Sequence, residues 1–183
     1  MTSDEQQRPS WDEYFIMLAK LAAIRSTCIA RQVGAVIVMN KRVLATGYNG
    51  PPSGSAHCID QGYCYPGLVN CDASKTLPSR AIHAEANAIA QAAKHGISTR
   101  GASIYVTLEP CLSCLKLIIS AGISEVYYET AFNTQENISL RDTFISEGLI
   151  NLKQIQLSKT SLEKAILLLN DPASSRLLTT DAT

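Results

Sequence analysis

Two short segments constrain this chain more than any other: His83-Ala84-Glu85 and Pro110-Cys111-Leu112-Ser113-Cys114. One imidazole and two thiols are ligands of the kind that hold zinc. A tetrahedral zinc with three protein ligands keeps its fourth position for water. Any fold for this chain must therefore bring the two segments together. Glu85 is a candidate proton carrier rather than a ligand. The spacing of Cys111 and Cys114 puts both thiols on one face of a helix. His83 and Glu85 would diverge on a regular helix, so the pair must sit in a first turn, with the metal at the helix end. The pattern points to a zinc hydrolase site.

The flanking sequence places both segments at helix starts. Ser10 and Glu13 form a capping box, and Trp11, Tyr14, Phe15, Leu18 and Leu21 or Ala22 follow at helical spacing to about Arg25. Residues 33–39 read as a buried strand, Asn40-Lys41 as a turn and 42–49 as the return strand of a hairpin. A helix is expected over 82–95 with Gly96 as its cap, a strand over 103–108, and a helix from Pro110 to about Gly122. A strand over 125–129, a weaker helix over 140–147, a strand over 149–157 and a helix over 161–170 capped by Ser161 complete the pattern. The alternation predicts a three-layer α/β/α sandwich around a mostly parallel, five-stranded sheet with an N-terminal antiparallel hairpin. One domain over 10–170 is expected, between a flexible N-terminus over 1–9 and a frayed tail over 171–183. Residues 50–79 are rich in Gly, Pro, Ser and Cys without a period. A loop that long inside a domain is usually functional or tied down.

Charge and cysteine content narrow the function classes. Lys plus Arg and Asp plus Glu both count 16, so the formal net charge is zero. Such a chain has no global attraction for nucleic acid or an anionic membrane. It shows no membrane-length apolar run and no signal peptide, which predicts a cytoplasmic protein. Six cysteines in a reducing compartment point to metal or catalysis before disulfides.

A lone Cys-x-x-Cys is as easily half of a structural zinc site or a redox pair, and a lone histidine is more often part of a core. Their conjunction with Glu85 changes that balance. H-x-E…P-C-x-x-C is the signature of zinc nucleobase deaminases, and the chain matches all of it. Two thiolates cancel the charge of zinc, and its water ionises near a pKa of ~7. Glu85 would take that proton and pass it to the base and then to the leaving amine. Two readings compete. One is a deaminase of another ring, such as a tRNA base, a pteridine-like ring or a riboflavin-pathway pyrimidine. The other is a non-catalytic, zinc-stabilised module that senses nucleotides. A polynucleotide deaminase should show a basic stripe or aromatic platform, and a sensing module needs no Glu85.

Beyond the signature, Trp11-Asp12-Glu13-Tyr14-Phe15, Arg25-Ser26, Val33-Gly34-Ala35-Val36-Ile37-Val38 and Thr46-Gly47-Tyr48-Asn49-Gly50-Pro51-Pro52-Ser53-Gly54 resemble the deoxycytidylate (dCMP) deaminase family, over about 11–130. The resemblance implies a cytidine-deaminase-like fold and conversion of dCMP to dUMP and ammonia. It implies a homo-oligomer, often a hexamer, activated by dCTP and inhibited by dTTP, with Mg²⁺ on the triphosphate. His83, Cys111 and Cys114 match the zinc ligands and Glu85 the proton shuttle. The Ala84 backbone would meet the pyrimidine carbonyl, and Asn49 the sugar. The ring that stacks on the base falls at Phe132, with Tyr128 as the alternative. Arg25 and Ser26 are the candidate phosphate donors. Gly47, Tyr48, Asn49, Gly50, Pro52 and Gly54 would form the effector site. Cys28, Cys58, Cys64 and Cys71 would make a second, closed zinc site, with His57 able to replace one thiol.

Overall fold

The computed structural model describes residues 8–62, 79–132 and 135–170. Five strands lie in the order β2-β1-β3-β4-β5: β1 Gly34–Met39, β2 Arg42–Tyr48, β3 Ser103–Leu108, β4 Glu125–Thr130 and β5 Asn151–Gln154. β1 pairs antiparallel with both β2 and β3, whereas β3, β4 and β5 are parallel neighbours. The sheet is therefore mixed, with the expected hairpin at its N-terminal end. The hairpin turn puts Asn40 and Lys41 at φ 52° and 62°. This left-handed pair matches the right-handed twist of the strands it joins.

Helices cover both faces. α1 (Trp11–Ala23) lies on one, and α3 (Ala84–Lys94) and α4 (Leu112–Ser120) on the other. β1 shows the division residue by residue. Ala35 and Ile37 pack with Ala84, Ala88, Leu115 and Ile118, whereas Val36 and Val38 pack with Phe15, Ile16 and Ala19. A strand buried on both faces has no polar side to alternate with, and Gly-Ala-Val-Ile-Val-Met has none.

The capping box is present. Ser10 Oγ accepts from the Glu13 N–H at 3.2 Å, and Glu13 Oε2 accepts from the Ser10 N–H at 2.9 Å. The buried stripe of α1 differs from the large apolar residues that mark the helix in sequence. Phe15, Ile16, Ala19 and Ala23 are buried, while Trp11, Tyr14 and Leu21 are each more than 40% exposed. The cause is Gly34. A Cβ there would overlap the Ala19 carbonyl and crowd the Ala23 amide, so the helix backbone rests on the strand and only small side chains fit between.

Several boundaries move. α3 starts at Ala84 with His83 as its N-cap, and α5 spans Gln135–Ser146, five residues earlier than its apolar pattern. β5 is shorter than 149–157, and α6 spans Lys159–Asn170. The cap of α6 is Ser158, whose Oγ accepts from the Ser161 N–H at 3.2 Å; Ser161 is buried inside the helix. In the long loop, α2 (Cys58–Gln61) forms a single turn. The loop closes on itself through a bridge, with Gly50 and Ile82 exchanging backbone hydrogen bonds of 3.2 and 2.9 Å. Of the expected flexible segments over 1–9 and 171–183, residues 1–7 and 171–183 lie outside the described residues, as do Cys64 and Cys71.

α3 approaches the sheet as closely as α1 does. A Cβ on Gly47 would overlap the Ala84 carbonyl and the Ala88 amide. This contact seats the start of α3 against the end of β2. Gly47→Ala should lower stability by about 1–3 kcal/mol, the range for overpacking a closed contact, read as a fall in melting temperature. An unchanged melting temperature would show that α3 can lift away freely.

Candidate active site

The candidate residues gather at one edge of the sheet. Tyr48 at the end of β2 is paired with Gly34 at the start of β1, and Leu108 at the end of β3 with Thr130 at the end of β4. Asn49, Val33, Glu109 and Phe132, each just outside its strand, line one cleft of about 250 Å³ with His83, Ala84, Glu85 and Cys111.

His83 takes the extended backbone of an N-cap, φ −67° and ψ 154°, and its side chain makes no capping hydrogen bond. Glu85 lies in the following turn and lines the same cleft. The requirement set by their spacing is therefore met. Cys111 is likewise the N-cap of α4, and Cys114 lies in its first turn. His83 Nδ1 is 3.5 Å from Cys111 Sγ and 3.3 Å from Cys114 Sγ. Ligands on a tetrahedral zinc, with Zn–S near 2.3 Å and Zn–N near 2.0–2.1 Å, stand roughly 3.5 Å apart. The donor set and its spacing fit that ion. Among the described residues, no other group of three His, Cys, Asp or Glu side chains converges so closely.

The electrostatics follow from this geometry. The Cys114 S–H donates to Cys111, which draws the Cys111 pKa down to about 4 against the effect of burial, with His83 adding to the fall. The same bond holds Cys114 above the usual thiol range, and burial adds to it. Contact with Cys111 raises His83, opposed by burial. Metal binding to such a set releases the retained proton. Glu85 is 4% exposed. Burial pushes its carboxyl up to about 7, although the His83 charge pulls the other way. A carboxyl poised there can both accept and return a proton near neutral pH.

Asn49 is more fully engaged than the sequence implied. Its Oδ1 accepts from the Val33 N–H at 2.8 Å and lies 2.6 Å from Ser26 Oγ, and its Nδ2 donates to the Arg31 carbonyl at 2.7 Å. Ser26 is buried against it rather than turned to the cleft. Arg25 is exposed and is not among the residues lining the cleft; Arg31 is. Of the two stacking candidates, Phe132 lines the cleft and Tyr128 does not. Cys28 lines it beside His83, and Cys58 opens α2. Thr27 Oγ1 lies 3.0 Å from His57 Nδ1 and so joins the segments that carry these two cysteines. A second cavity of about 290 Å³ holds Gly47, Tyr48, Gly50, Pro52 and Gly54, with Asn87 and Gln91 from α3; Asn49 belongs to the first cleft.

Comparison with known proteins decides the family. The family described as the cytidine and deoxycytidylate deaminase zinc-binding region matches residues 9–130. The chain belongs to this family. It is 42% identical over 156 residues to ComE operon protein 2 of Bacillus subtilis, covering 80% of this chain and 78% of the relative. It is 43% identical over 125 residues to deoxycytidylate deaminase of Mycobacterium phage D29, covering 66% and 95%. The Saccharomyces cerevisiae deoxycytidylate deaminase is 43% identical over 129 residues, 70% of this chain but 40% of the yeast protein's length. The crystal structure of dCMP deaminase from cyanophage S-TIM5 in complex with dCMP and dUMP aligns with a TM-score of 0.63 at 28% identity, covering 85% of this chain and 99% of that one.

Two residues of this deaminase-family site carry no motif that would have revealed them. Arg31 could be told from Arg25 only by which of them the Asn49 amide holds. Glu109 precedes Pro110 and looks like part of a loop. Purified protein should carry zinc. Cys114→Ala should lose it and Glu85→Gln should keep it, measured by atomic emission. Retained stoichiometric zinc in Cys114→Ala would remove this residue from the metal site.

Proposed function

We propose that the chain hydrolytically deaminates dCMP to dUMP and ammonia. The observation that carries this reading is a buried carboxylate, Glu85, beside the His83–Cys111–Cys114 triad in a nucleotide-sized cleft. The dCMP deaminases among its relatives, one solved with dCMP and dUMP, support the choice of substrate. Bound by the triad, zinc supplies a Lewis acid that brings the pKa of water to about 7. Glu85 takes one proton from the attacking water and gives it to the ring nitrogen. Once the water oxygen is bonded to C4, Glu85 takes the second proton from that hydroxyl and gives it to the amine, which leaves as ammonia as the C4–N bond breaks and the carbonyl forms. Ala84, in the first turn of α3, lines the cleft, and its N–H suits the pyrimidine carbonyl. Asn49 spends one Nδ2 hydrogen on Arg31, and the other suits the sugar. Arg31 replaces Arg25 as the donor to the phosphate, and Phe132 covers the base.

The finer reading is regulatory. dCTP, carried with Mg²⁺, activates and dTTP inhibits through the second cavity. That cavity is polar and shares α3 with the catalytic cleft: Asn87 and Gln91 face one, Ala84 and Glu85 the other. Cys28, Cys58, Cys64 and Cys71 hold a second zinc that fastens the long loop, and the Thr27–His57 contact supports the first half of that set. The protein is a cytoplasmic homo-oligomer, a hexamer by resemblance. Exposed Leu162, Ile166 and Leu169 on α6 offer an apolar surface for association. No described helix is long and apolar enough to cross a membrane.

Absorbance of dCMP with purified protein tests the reading. The cytosine band should disappear, and Glu85→Gln should slow its loss by about 10²–10⁴-fold, the usual contribution of a positioned proton carrier. Full activity in that variant would sink the mechanism. Addition of Mg²⁺ and dCTP should accelerate the reaction, dTTP should slow it, and Asn87→Ala should blunt both responses. Responses that survive Asn87→Ala intact would move regulation away from the second cavity.

A further inference from the structure

We propose that Glu109 and Arg141 are positioning residues that hold Phe132 over the cleft, against the base of the substrate. The identity of that base rests on the dCMP reading; the positioning itself does not.

Glu109 stands between the end of β3 and Pro110-Cys111, and it is 3% exposed. Both of its carboxylate oxygens are engaged. Oε1 is 2.6 Å from Arg141 Nη1, and Oε2 accepts the Phe132 N–H at 2.9 Å. Its own N–H donates to the Thr130 carbonyl at 2.8 Å. One residue therefore joins three segments: the strand end that leads into the metal ligands, the turn after β4, and α5. Arg141 reaches in from α5, with its Nε 3.1 Å from Asp142 Oδ1.

Such an arrangement is costly unless it serves a purpose. A carboxylate at this depth persists only when its charge is paired and its lone pairs are satisfied. Neither residue is a metal ligand or the proton carrier. Their shared product is the fixed backbone of Phe132, a residue that lines the cleft with Glu109, Leu108 and Glu85. Phenylalanine has no polar group of its own to anchor its ring, so the backbone must set the ring's position. Without Arg141 the carboxylate would turn to water in the cleft, and the Phe132 N–H would lose its acceptor.

A double-mutant cycle on the full-length, zinc-loaded protein tests this. Phe132→Ala and Arg141→Met should each weaken dUMP binding, followed by calorimetry, and raise the KM for dCMP by roughly tenfold, within the range that losing one base–aromatic stack costs. Zinc content should hold and kcat should change little. The double variant should be no worse than Phe132→Ala alone, since coupled residues are non-additive. Additive losses, or a loss confined to kcat, would overturn the proposal. Glu109→Gln keeps an acceptor for Phe132 and should do less harm than Glu109→Ala. Amide hydrogen exchange gives a readout free of substrate. Arg141→Met should speed exchange at Phe132 while the amides of β3 remain protected, and an unchanged Phe132 amide would refute the positioning. A wild type that neither converts dCMP nor binds dUMP would refute the substrate reading alone, because the exchange measurement still decides the positioning.

Discussion

The contact on which the site depends is the one between α3 and β2 at Gly47. Most helices stand off a sheet by the depth of two side chains. Here the strand offers no side chain and the helix offers Ala84 and Ala88, so backbone meets backbone. That proximity, with the Gly50–Ile82 bridge just beyond the strand, fixes where the helix begins. His83 and Glu85 therefore inherit their positions from main-chain packing, which leaves their side chains free for chemistry. α1 repeats the device on the other face at Gly34.

Both ligand-bearing segments place a ligand where a helix normally keeps a capping serine or aspartate. The positive ends of α3 and α4 thus face the same space. Two thiols and a buried carboxyl would otherwise be an unfavourable cluster, and the helix ends offset part of that cost. A dication held by His83, Cys111 and Cys114 would complete the balance. The same reasoning separates the two acidic residues of the cleft. Glu109 has Arg141 at hand, whereas Glu85 is buried with no arginine or lysine hydrogen-bonded to it among the described residues. Glu109 is held as a strut, and among those residues Glu85 has no such pairing.

Much of this was legible in the sequence, for identifiable reasons. Ligand chemistry is written in residue type and spacing, so His83, Glu85, Cys111 and Cys114 were readable, as was the need for a first-turn geometry. The alternation of strands and helices gave the layers. What escaped depends on approach distance and on partners far apart in the chain. The buried face of α1 is chosen by Gly34 rather than by the largest side chains. Ser26 looks like a ligand donor until Asn49 folds over it. Arg141 lies in a helix with little amphipathic pattern, and its partner Glu109 is 32 residues away. No local signal joins them.

The site occupies only one rim of the sheet. The His83, Cys111 and Cys114 cluster, Glu85, Phe132 and Asn49 all lie where β2, β3 and β4 end and β1 begins. The opposite rim carries the Asn40–Lys41 turn and the short connections into β3, β4 and β5, and none of the described residues that line the cleft comes from it. The molecule therefore has a working rim and a permissive one. Lineages built on this scaffold can lengthen the permissive rim, attach further modules there or use it to meet neighbours, without asking the chemistry to adapt.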